Sequence, residues 1–121
     1  MKKILFIEDE SALQKTLGDF LSKEYEVISA TDGEAGLSLV ENKLPDLILL
    51  DLILPKMNGF DVLKQLKENE KTKNIPVIVL TNLEGVGEID KAVELGATTY
   101  LVKVQYTLKE LGEKIKQIIG N

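Results

Sequence analysis

An α/β fold, (βα)5 with a doubly wound parallel five-stranded sheet, is predicted for this chain of 121 residues by three observations. Short apolar bursts alternate with longer amphipathic stretches. Three bursts, Ile4-Leu5-Phe6-Ile7, Leu47-Ile48-Leu49-Leu50 and Val77-Ile78-Val79-Leu80, are continuously hydrophobic, as strands buried on both faces of a parallel sheet are. Punctuation at Pro45, Pro55, Pro76, Asn58-Gly59 and Gly96 falls between the elements. Five units are too few for an eight-stranded barrel, so the sheet stays open, and right-handed crossovers place helices on both faces.

The first strand is read at Lys3–Ile7. In the helix after it, Leu13, Leu17, Phe20 and Leu21 share a face, and Ser11 with Gln14 reads as a capping box. Strand two follows at Glu26–Ala30, a helix at Glu34–Asn42 and strand three at Leu47–Leu50. A helix at Asp61–Asn69, strand four at Val77–Leu80, a helix at Glu88–Leu95 and strand five at Thr99–Val102 continue the alternation. The last helix carries Leu108, Leu111, Ile115, Ile118 and Ile119 on one face, capped by Thr107 with Glu110.

Composition removes whole classes of chemistry. With no Cys and no His, there are no disulfides, thiol or imidazole catalysts, or usual zinc shells. All basic residues are Lys, so no guanidinium fork can grip a carboxylate or phosphate. A net charge of −5 argues against nucleic acid as a direct partner. Lys2-Lys3 before Ile4–Ile7 is not a secretory leader, because the apolar run stops at Glu8-Asp9-Glu10. The stretch Leu47–Leu54 is broken by Asp51 and too short to cross a bilayer, so no membrane insertion and a cytoplasmic location are expected.

Open α/β sheets bind ligands outside the carboxyl ends of their strands. The residues there are Glu8-Asp9 after strand one, Asp51 after strand three, Thr81 after strand four and Lys103 after strand five. Taken singly, each has an ordinary alternative: Asp51 as a helix cap, Glu8-Asp9 as acids favoured by a helix dipole, Thr81 bonded to backbone, Lys103 solvated. Together they form a set. In the flavodoxin-like strand order 2-1-3-4-5, strands one and three are neighbours, which brings Glu8, Asp9 and Asp51 together. Three like charges without Arg or His are resolved by a divalent cation, and an all-oxygen site with few protein ligands suits Mg²⁺. Thr81 and Lys103 are then placed to hold phosphoryl oxygens, and Asp51 to become an aspartyl phosphate.

These residues resemble the receiver domains of two-component response regulators, over essentially the whole chain. The resemblance rests on Phe6-Ile7-Glu8-Asp9, on Leu49-Leu50-Asp51 with Pro55-x-x-Asn58-Gly59, on Val79-Leu80-Thr81, and on Gly96-Ala97 leading to Tyr100-Leu101-Val102-Lys103. It implies that Asp51 accepts a phosphoryl group from a histidine kinase or phosphotransfer protein. It implies Mg²⁺ bound by Asp9, Asp51 and the Ile53 carbonyl, with Glu8 acting through water. Thr81 and Tyr100 look like the coupled switch pair, and Lys103 like the phosphate-contacting lysine. A downstream protein target and a monomer or weak dimer are expected, with the receiver unit filling residues 1–121 and no output domain.

The chain departs from the family pattern twice: Glu8 stands where Asp is frequent, and Val104 follows Lys103 where a proline on a cis bond is usual. A cis bond before a non-proline residue costs ~2.5–4 kcal/mol, so a trans Lys103–Val104 bond is predicted, with residues 104–106 rerouted and Lys103 still reaching Asp51. Two other readings compete. A haloacid-dehalogenase-type hydrolase needs a second acid two residues after its nucleophile, and Ile53 stands there. A receiver-like binding module that has lost phosphorylation would be signalled by loss of Asp9, Asp51 or Lys103, and all are present. Nucleotide fingerprints are missing: there is no GxxxxGK, and Gly85-Val86-Gly87-Glu88-Ile89-Asp90 lacks the third small residue.

Overall fold

A computed structural model describes residues 1–120. Its strands are β1 (Lys3–Ile7), β2 (Glu26–Ala30), β3 (Leu47–Leu50), β4 (Val77–Thr81) and β5 (Thr99–Val102). The helices are α1 (Ser11–Leu21), α2 (Gly33–Lys43), α3 (Gly59–Glu68), α4 (Val86–Glu94) and α5 (Leu108–Ile119), with a 3-10 turn at Lys103–Gln105. All strand pairings are parallel, in the order β2-β1-β3-β4-β5. Among the described residues, no helix is long and apolar enough to cross a membrane.

The strands alternate side chains between two cores, as the period of two requires. Ile4, Phe6, Leu47, Leu49, Ile78, Leu80 and Leu101 pack with Leu17 and Leu21 of α1 and Leu111 and Ile115 of α5. Leu5, Ile7, Ile48, Leu50, Val77 and Val79 face α2, α3 and α4, meeting Val40, Val62, Leu63, Leu66 and Ala92. The central strands β1, β3 and β4 are therefore almost wholly buried, and β2, an edge strand, is not. Layers of this kind put every strand's carboxyl end on one rim, and the polar residues follow there.

Helix starts show where local chemistry decides. The Thr107 capping box forms as read: its hydroxyl accepts the Glu110 N–H at 3.1 Å, and the Glu110 carboxylate accepts the Thr107 N–H at 3.0 Å. The Ser11–Gln14 box does not. Ser11 is already inside α1, Glu10 is the capping position, and no side chain caps it. Gln14 instead sends its amide to the β1 and β2 exits. Helix α3 starts at Gly59, before the expected Asp61, because Asn58 Oδ1 accepts the Phe60 N–H at 2.7 Å and caps it. A Cβ on Gly59 would overlap Leu52 Cα and the Asp51 carbonyl oxygen, so only glycine lets the loop close this tightly.

Candidate functional site

Three acids meet at the carboxyl rim. Glu8 and Asp51 are buried and Asp9 is exposed, and one carboxylate oxygen of each lies within 4.8 Å of the others. Glu8 is the first residue beyond β1, and Asp51 the first beyond β3, its neighbour in the sheet. The Asp51 N–H donates to the Ile7 carbonyl at 3.1 Å, continuing the ladder and fixing where its side chain leaves the sheet.

Lys103 reaches in from the end of β5. Its ammonium donates to Asp51 Oδ2 at 2.9 Å and lies 2.6 Å from Glu8 Oε1. The Lys103–Val104 bond is trans, since no cis peptide occurs among the described residues, and the chain leaves through the 3-10 turn. Asp51 Oδ1 accepts the Ile53 N–H at 3.1 Å, and Glu8 Oε2 accepts the Glu10 N–H at 3.0 Å.

Burial pushes the Glu8 carboxyl up from its ordinary range; Lys103 and the Glu10 amide pull it down, and the Asp51 charge pushes it up further. For Lys103, burial works to lower the ammonium, but its bonds to Glu8 and Asp51 outweigh that and raise it. Glu8 Oε1 is buried and receives no well-aligned hydrogen bond despite its close ion pair. Negative charge is thus in excess of what one lysine satisfies. An all-oxygen donor set with this surplus fits a divalent cation.

Thr81 ends β4 fully buried, and its Oγ1 is the acceptor of a long 3.5 Å contact from the Leu83 N–H. Tyr100, opposite Val79 on β5, is half-buried and donates its hydroxyl to the Leu83 carbonyl at 2.8 Å. Burial, then the charges of Glu88 and Asp51, raise its phenol. Thr81 and Tyr100 are therefore joined through one residue of the β4–α4 loop. Ile53 is exposed in the β3–α3 loop, beside a cleft of about 420 Å³ lined by Leu54, Met57, Phe60 and Leu83 among others.

Several contributors are not visible as a sequence pattern. Lys56 has φ 67°, with the Met57 N–H bonded to the Pro55 carbonyl at 2.7 Å, a γ-turn of the rare positive-φ kind. Its ammonium lies 3.7 Å from Asp32, which caps α2. The Leu83 carbonyl is a backbone acceptor that no side-chain motif announces. Gln14 is different: a polar residue at helical spacing from Leu17 and Leu21 is a signal, and a capping box was the wrong explanation of it.

A family profile for the response regulator receiver domain matches residues 4–116. The transcriptional regulatory protein CiaR of Streptococcus pneumoniae is 43% identical over 119 residues, 98% of this chain and 52% of that protein. The solved Mn²⁺-bound form of the response regulator Rcp1 superposes with a TM-score of 0.82 at 34% identity, covering 98% of this chain and 91% of that one. The receiver domain of sensor histidine kinase PA1611 from Pseudomonas aeruginosa PAO1, solved with magnesium coordinated in its active-site cleft, gives a TM-score of 0.89 at 26% identity, covering 99% and 98%. The chain spans about half the length of the first curated relatives it matches.

Proposed function

This chain belongs to the response regulator receiver domain family, and we propose that Asp51 is its phosphoacceptor, charged by a histidine kinase or phosphotransfer protein. The observation that carries the proposal is the meeting of Asp51, Glu8, Asp9 and Lys103 at one buried corner.

In the reaction, an Asp51 carboxylate oxygen attacks the phosphorus of a phosphohistidine. The new P–O bond forms as the P–N bond breaks, and the imidazole leaves with the electron pair and takes a proton. Lys103 already points its ammonium at Asp51 and is placed to follow the phosphoryl oxygens once the carboxylate is esterified. The Thr81 hydroxyl, at the end of the neighbouring strand, takes another of those oxygens. Asp9, Asp51 and the Ile53 carbonyl would hold Mg²⁺, with Glu8 acting through water. That ion supplies neutralisation of the charge on the transferring group.

Readout follows from the Thr81–Leu83–Tyr100 connection. A phosphoryl group on Asp51 draws the Thr81 hydroxyl toward it and resets the loop to which Tyr100 is bonded. The face that changes is α4, β5 and α5, presented to a downstream protein in the cytoplasm by a monomer or weak dimer. The chain acts on itself alone, through its own phosphorylation and dephosphorylation.

Labelling with acetyl phosphate tests the proposal. Incorporation should need Mg²⁺, be released by hydroxylamine, and disappear in Asp51→Asn. Undiminished labelling of that variant would overturn the assignment of Asp51, and no labelling of the native chain would favour a binding module without phosphorylation.

A further inference from the structure

Gln14 sits on the sheet-facing side of α1, at helical spacing from the buried Leu17 and Leu21, where an apolar side chain is the usual occupant. Its amide reaches beyond the start of its own helix. Nε2 donates to the Glu8 carbonyl at 2.5 Å and to the Ala30 carbonyl at 2.9 Å. An amide NH₂ carries two protons, so both bonds are made at once. The Ala30 carbonyl also accepts the Glu8 N–H at 2.9 Å. Gln14 therefore closes a polar ring around the backbone of Glu8, using the last residue of β2 as the fixed point.

The peptide group whose oxygen Gln14 holds is the one that carries the Asp9 nitrogen. Turning that plane would swing the Asp9 side chain, which is exposed, and would shift the Glu8 carboxylate away from the Glu10 N–H and Lys103. The hold is also neutral. A cation in this place would compete with Lys103 for the acids, whereas an amide fixes the backbone without adding charge.

We infer that Gln14 is a positioning residue for the acidic corner, setting the Glu8–Asp9 peptide so that both carboxylates face a divalent cation beside Asp51. The inference rests on the metal-binding reading above and adds to it a residue of α1 that touches neither the cation nor the phosphoryl group.

Gln14→Met keeps length and helix preference and removes both donors; Gln14→Lys returns a donor of similar reach. For each, three quantities are measured: the melting temperature, the ¹H–¹⁵N shift of the Glu10 amide without metal, and the Mg²⁺ dissociation constant by calorimetry. In Gln14→Met the Glu10 amide should shift, because its acceptor moves. The Mg²⁺ dissociation constant should rise about tenfold, the lower end of what loss of an outer partner costs a metal site. Gln14→Lys should return the Glu10 amide toward its wild-type shift but recover little of the Mg²⁺ affinity, because its charge competes with the cation for the acids. An unchanged Glu10 shift and Mg²⁺ affinity in Gln14→Met, even with a lower melting temperature, would overturn the inference and leave Gln14 a structural residue. Should Gln14→Met fail to fold, Gln14→Asn, whose shorter amide cannot span both carbonyls, is read by the same criteria. Wild-type protein that binds no Mg²⁺ would overturn the metal reading itself, and the metal-free Glu10 shift keeps that failure distinct from a failure of Gln14 to hold the corner.

Discussion

The Lys103 ammonium bonds Asp51 Oδ2 at 2.9 Å while lying 2.6 Å from Glu8 Oε1, so one cation serves two buried carboxylates. Removing it leaves those acids facing each other with only backbone donors. Lys103→Met preserves the stem and deletes the charge. At pH 7 without metal it should lose about 1–3 kcal/mol, the cost of leaving a buried polar group unpaired. Mg²⁺ should restore more stability to the variant than to wild type, since a divalent cation replaces the missing charge. Urea titrations with and without Mg²⁺ measure both effects, and equal Mg²⁺ stabilisation of the two proteins would contradict this account.

The Tyr100 hydroxyl is tied to the Leu83 carbonyl at 2.8 Å, and the Thr81 hydroxyl contacts the Leu83 amide from the other side. Tyr100→Phe keeps the packed ring and drops one hydrogen bond, costing about 1 kcal/mol. Labelling of Asp51 should persist in Tyr100→Phe and in Thr81→Ala. Beryllofluoride, a phosphoryl mimic, should move the amide resonances of residues 84–119 in wild type and much less in either variant. The same shifts in all three proteins would remove Thr81 and Tyr100 from the readout.

Most of this architecture is legible in the sequence because the strands are buried on both sides. Continuous apolar runs mark β1, β3 and β4, and their bounds in the fold differ from the reading only by Thr81, which joins β4. The site is legible for a related reason. In a parallel sheet the residue after each apolar run lands on one rim, so Glu8, Asp51, Thr81 and Lys103 converge by topology. What escapes is set by distant backbone. Asn58-Gly59 reads as a turn, yet it is a helix cap and first turn, because Gly59 lies against Leu52 and Asp51. Gln14 has capping-box spacing, yet the carbonyls of Glu8, just beyond β1, and Ala30, at the end of β2, claim its amide. The positive φ of Lys56 has no local cue, since lysine does not favour it.

Gly59→Ala should be among the more damaging small substitutions. Its Cβ would overlap Leu52 Cα and the Asp51 carbonyl, both backbone, which can move only by displacing the loop. A loss of about 1–3 kcal/mol is expected, with slower labelling of Asp51 because its own peptide is pushed. Gly18→Ala is the matched control. It lies within α1, a Cβ there meets nothing within 4 Å, and alanine should raise stability by about 0.5–1 kcal/mol. Urea unfolding of both variants separates contact from propensity, and a neutral Gly59→Ala would show that the loop relaxes freely.

The start of α5 carries a stability term that depends on pH. Glu110 accepts the Thr107 N–H through its carboxylate, and this backbone bond, followed by that to the Thr107 side chain, holds its carboxyl below the ordinary 4.5. A carboxyl depressed in the folded state binds its proton more readily when unfolded. Its contribution is therefore fully present above pH 4.5 and fades as the pH falls through the lower folded value. Glu110→Gln keeps an oxygen acceptor without the charge, so it weakens the box at neutral pH and has nothing to lose in acid. The stability difference between wild type and Glu110→Gln should be constant from pH 7 down to about pH 5, then shrink steadily below it. Because Leu111 and Ile115 dock α5 onto the sheet, the loss should appear first as faster amide exchange in the first turn of α5, ahead of any global unfolding. A difference that grows on acidification would mean that the Glu110 carboxyl is raised rather than depressed in the folded chain.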